Sequence, residues 1–106
     1  MSAAADEAAP GREALEGMDA VLARRPDKDD HRLTEVVKAL CAWRDALIGR
    51  HRAAPLPPHE RDRLERLNAV IGVTFGLQFP QAAPPWEEFK TARGWLAALL
   101  QEAEAA

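Results

Sequence analysis

The side chains that ordinarily do chemistry are few here, and they are badly spaced for it. Three histidines (His31, His51 and His59) and one cysteine (Cys41) are the nitrogen and sulfur ligands the chain could offer a metal. A di-iron helical bundle needs Glu-x-x-His pairs on facing helices, but the residues three before these histidines are Lys28, Ile48 and Leu56. Oxygen-carrier bundles of the hemerythrin type need more histidines than this. A phosphotransfer bundle needs an exposed histidine in mid-helix, whereas His31 falls at a predicted helix start and His51 at a predicted helix end. Cys41 and His51 share a predicted helix face, yet ten residues of helix hold them about 15 Å apart, too far for one metal. We expect surface histidines and one buried thiol, with no metal and no cofactor.

A single cysteine excludes an internal disulfide scaffold and any zinc cluster built on cysteines of one chain. Ser2 is the only serine, Asn68 the only asparagine, and tyrosine is absent. A hydrolase triad, a tyrosine acid or an amide oxyanion hole has almost nothing to draw on. Glu87 and Glu88 are adjacent, and neighbours on a helix do not face one another across a site. In a first helical turn they complement the helix dipole instead. No catalytic residue is expected, and the chain reads as something other than an enzyme.

Basic residues gather around the Pro55–Pro58 stretch, with Arg44 on one side and the candidate basic patch Arg50, Arg52, Arg61, Arg63 and Arg66 about it. Asp45, Glu60, Asp62 and Glu65 are interleaved, and the net charge is −3. A mixed surface of this kind is a solvated one, so nucleic acid ranks only as the alternative partner. Arg52 to Pro58 also fits an R-x-x-P-x-x-P ligand pattern, which a stiff interhelical linker explains equally well.

The residues that stand out are apolar. Ala69, Gly72 and Gly76 recur at helical spacing, and each interior glycine costs about 1 kcal/mol relative to alanine. Close approach of another helix backbone would offset that, from within the chain or from a partner. By this reasoning a bulky side chain at Gly76 should destabilise the fold or break an assembly. Trp86 and Trp95 are nine residues apart, about 180° around a helix, so both cannot face one core. Trp86 belongs near the buried line and Trp95 near its boundary. Trp95, Trp86, Gly72, Gly76 and Phe79 are the candidate interface, formed by the last helix and the Pro80–Trp86 loop with the end of the third helix behind. The leading expectation is a non-catalytic helical interaction module, an accessory or regulatory protein acting through a protein partner or self-association.

These residues sit on four helical stretches punctuated by prolines: Pro10–Arg25, Asp27–Arg52, Pro58–Phe79 and Pro85–Ala103. Asp27, Asp29 and Asp30 suit the start of the second, and Pro85 the first position of the fourth. Ala69 to Phe79 is apolar all round and has strand-forming residues, but no second strand exists to pair with it. The acidic end of the fourth stretch should fray. The fold class expected is all-α: a small antiparallel four-helix bundle, three long helices and a short N-terminal one. With 106 residues it is a single domain (10–106) behind a flexible N-terminus (1–9). The longest uncharged apolar-rich run, Leu67–Phe79, falls short of the roughly 20 residues a spanning helix needs. The start carries no signal-peptide pattern. A cytoplasmic protein without membrane contact is expected, and the Ala-, Arg- and Pro-rich composition suggests a high-GC bacterial genome.

Overall fold

The computed structural model describes residues 6–24, 31–79 and 84–105. They form four helices: α1 (Ala9–Arg24), α2 (His31–Ala53), α3 (Pro58–Gly76) and α4 (Trp86–Ala105). No strand occurs among the described residues. Each helix packs on the two beside it, closing a ring α1–α2–α3–α4. Arg12 at the start of α1 pairs with Glu104 at the end of α4, Arg66 in the first half of α3 with Glu102 at the end of α4, Glu7 just before α1 with Arg50 near the end of α2, and Gln78 just past α3 donates to Thr34 near the start of α2. Neighbouring helices are therefore antiparallel, as short connections require.

Local chemistry sets the helix ends. Pro57 caps α3 in extended backbone, and Pro58 needs no partner for a missing N–H. Glu60 and Arg61 N–H donate back to the Pro57 carbonyl at 3.0 and 3.1 Å. The helix stops at Gly76 rather than at Phe79, because the chain tightens into turns there. Gln78 N–H donates to Phe75 O, and Phe79 N–H to Gly76 O. At α4, Pro85 stands just before the helix rather than inside it, and its carbonyl accepts the Phe89 N–H at 3.0 Å. The aspartates 27, 29 and 30 lie outside the described residues.

The far end of α4 does not fray as its acidic residues suggest. Glu102 and Glu104 oppose the local dipole, but Arg66 Nη2 donates to Glu102 at 2.7 Å and Arg12 Nη1 to Glu104 at 3.0 Å. Packing begins before Pro10: Ala8 is fully buried and Glu7 pairs with Arg50.

The core is one cluster. Met18 and Val21 come from α1, and Leu33, Val36, Leu40, Trp43 and Leu47 from α2. Leu67 and Val70 come from α3, and Phe89, Ala92, Leu96, Leu99, Leu100 and Ala103 from α4. Each large apolar side chain buried this way contributes roughly 1.5–3 kcal/mol. Thr74 is the one buried polar side chain among the described residues, and its hydroxyl donates to Val70 O at 2.9 Å. Cys41 is half-buried, not fully buried.

Close helix approach occurs in α1, not in α3. A Cβ on Gly11 would stand 2.5 Å from Trp43 Cε3, and one on Gly17 2.6 Å from Val36 Cγ2. At Gly72 and Gly76 a Cβ would meet nothing within 4 Å. Of the two sources of a close helix backbone, one within the chain is not seen at these glycines among the described residues.

Candidate interaction surface

α3 carries apolar residues around its C-terminal half, yet packing uses only one side of them. Leu67, Val70, Thr74 and Leu77 point inward. Ala69, Gly72 and Phe75 are exposed, Val73 and Gly76 half-buried. By helical geometry Gly72 lies about 140° from Leu67, so it faces away from the core. Phe75 is 49% exposed and Phe79 56%. Their rings meet edge to face at 5.3 Å and cover one another only in part.

Trp95 stands on the flank of α4 that faces α3, and it is 46% exposed. It divides the interhelical furrow into two shallow grooves. One, about 320 Å³, lies between Val73 of α3 and Glu87, Glu88 and Thr91 of α4. The other, about 250 Å³, lies between Trp95 and Asp62, Glu65, Arg66 and Ala69 of α3. Trp95 thus walls one side of a floor of small residues, with the Phe75–Phe79 pair beyond it.

Four of the five candidate interface residues fall in this region: Trp95, Gly72, Gly76 and Phe79. Trp86 does not. It is half-buried against the core and meets Phe89 edge to face at 6.1 Å. It lies about 180° around α4 from Trp95, which puts it on the α1 side. Pro80 and the residues to 83 in the loop that was to complete the surface lie outside the described residues. Phe75 belongs to the same surface, and its spacing of four from Phe79 is the sequence signal for a shared face.

The arginine-rich end is paired. Arg50 makes forked hydrogen bonds to both carboxylate oxygens of Glu7 (2.7 and 2.9 Å) and of Glu60 (both 3.2 Å). These bonds hold its guanidinium above its ordinary pKa and draw the Glu60 carboxyl below its own. Arg66 lies 2.7 Å from Glu102 and 2.9 Å from Asp62, and Arg63 is 3.8 Å from Glu102. The Glu102 bond raises the Arg66 pKa. Arg44 pairs with Asp45. Of the candidate basic patch, only Arg52 and Arg61 make no ion pair among the described residues.

The histidines do not converge. His31 begins α2 and His51 lies in its last turn. His59 is in the first turn of α3 and is exposed. His51 Nδ1 accepts the Leu56 N–H at 3.1 Å, which fixes the linker and seats Leu56 in the protein. Among the described residues, no three His, Cys, Asp or Glu side chains gather as metal ligands. No helix described is long and apolar enough to cross a membrane. Compared with family models, curated proteins and solved structures, the chain matches none.

Proposed function

We propose that this protein is a non-catalytic interaction module that works by protein–protein contact through the outer α3–α4 face. One observation carries the reading. The half-helix of α3 that is apolar all round is buried on one side only, and three aromatic rings, Phe75, Phe79 and Trp95, are left about half exposed beside it. Contiguous exposed apolar surface of this kind, rimmed by charge, marks interaction sites in small soluble proteins. Aromatic rings, tryptophan above all, are enriched among the residues that dominate binding energy. The glycines add to the argument. Gly72, inside α3, weakens the helix by about 1 kcal/mol relative to alanine, and among the described residues no neighbour uses the space it leaves. A partner backbone pressed against that floor would use it. The charged outer surface fits an aqueous compartment, and the reading takes the cytoplasm as that compartment.

The test is Trp95→Ala in two measurements, thermal melting and association. We expect association to be lost while the melting temperature moves by less than about 2 °C, in line with a surface substitution. A drop of several degrees with association intact would assign Trp95 to the structure alone.

A further inference from the structure

We infer that the occupant of the α3–α4 face is a basic amphipathic helix of a different protein, laid along the floor of Ala69, Gly72 and Gly76. The inference rests on the reading of this face as a docking surface and adds the chemistry of what docks.

The shape comes first. The outward stripe of α3 has almost no side-chain relief from Ala69 to Gly76: Ala69 and Gly72 are exposed, and among the described residues nothing lies within 4 Å of a would-be Cβ on Gly72. Trp95 rises on one side and the edge-to-face Phe75–Phe79 pair lies on the other. A floor of small residues lets a helix axis come close, and the flanking rings then cover its apolar stripe.

Charge selects the partner. Glu87 and Glu88 line the groove on one side of Trp95, and Glu65 lines the other. All three are exposed and make no ion pair among the described residues. The cation within these grooves, Arg66, is already held by Asp62 and Glu102. Arg61 stands one turn N-terminal to Glu65, beyond both grooves. The rim around Trp95 is therefore net negative and complements lysine or arginine flanking a partner's apolar stripe. A second copy fits less well. A two-fold interface places the same patch on both sides, so it would double these carboxylates without supplying cations to meet them.

The experiment uses two synthetic helical peptides of about 18 residues, five turns. Both carry leucine and alanine on one stripe, with lysine on the flanks of one and glutamate on the flanks of the other. Binding to the intact protein is followed by calorimetry and by tryptophan emission, and the free protein is examined by sedimentation velocity. We expect the lysine peptide to bind at least tenfold more tightly and to shift the emission to shorter wavelength. The preference should shrink with added salt and vanish in a Glu65→Gln, Glu87→Gln, Glu88→Gln variant. Gly72→Leu, whose new side chain enters open space in the folded chain, should lose the peptide while melting normally. Equal binding of both peptides would overturn the basic partner and leave the docking surface standing. Self-association that Gly72→Leu abolishes would make a second copy the occupant and would likewise overturn it. If neither peptide binds and the protein sediments as a monomer, the docking reading falls as well.

Discussion

Single residues separate two kinds of glycine in this fold. Gly11 and Gly17 lie where α1 presses on Trp43 and Val36, and a methyl group at either would sit inside the contact distance of a ring or a valine. Gly72 borders open space among the described residues. Gly11→Ala should therefore destabilise the protein by about 1–3 kcal/mol through overpacking, despite alanine's better helix propensity. Gly72→Ala should stabilise it by roughly 0.5–1 kcal/mol. Denaturant unfolding of the two variants checks both signs. A stabilised Gly11→Ala would show that α1 can move away from Trp43 at little cost. The sequence could not tell these glycines apart. Helical spacing marks a small residue, but only the rotation of each helix within the bundle decides which small residue meets a neighbour. In α1 the narrow apolar stripe hid Gly11 among its buried positions. In α3 apolar residues on every side left the inward direction undetermined.

Helices and their ends were the most legible level. Prolines at 10, 55, 57–58 and 84–85 and the recurrence of Leu33, Leu40 and Leu47 or Phe89, Leu96 and Leu100 place four helices close to where they lie. The misses have physical causes. Turns ahead of Pro80 end α3 early, and Pro85 serves as a cap instead of a first helical residue. Arginines arriving from α1 and α3 neutralise the acidic end of α4, which no reading of α4 alone could foresee. The same pairing explains why the arginine cluster offers less positive surface than its composition implies. Arg50 ties the segment before α1 to the start of α3 by gripping Glu7 and Glu60 together. Arg50→Ala should cost about 1 kcal/mol, the scale of a partly exposed pair network. The network also sets a pH dependence. Hydrogen bonds from Arg50 lower the Glu60 pKa in the folded state, so its contribution is complete above the unfolded value of about 4.3 and is lost as pH falls through the folded value. The contribution of this pair to the melting temperature should be complete at about pH 5 and lost below about 4. A Glu60→Gln variant should start lower and lose less on acidification. Identical acid profiles for the two proteins would remove Glu60 from the account.

The whole molecule is a ring of four antiparallel helices around one core, and its outer surface is not uniform. The α1–α4 seam is closed by Arg93 with Asp19 and Arg12 with Glu104, and the α1–α2 seam by Glu7 with Arg50. Among the described residues, the α3–α4 seam is tied by arginine only near the end of α4. Farther along it opens around Trp95. Core strength is therefore separable from the surface proposed to work. Leu96→Ala should cost about 2–5 kcal/mol and melt the fold at lower temperature, whereas Trp95→Ala should leave stability nearly unchanged. The central claim is that the outer α3–α4 face meets a partner protein. Its most direct test is a photo-crosslinking amino acid installed at position 95, with exposed Ala42 on the outer side of α2 as the control site, irradiated in living cells. The account predicts a discrete protein adduct from position 95 that is absent from position 42 and disappears when Gly72→Leu is added. No adduct from position 95 above the position 42 background, or an adduct indifferent to Gly72→Leu, would contradict it.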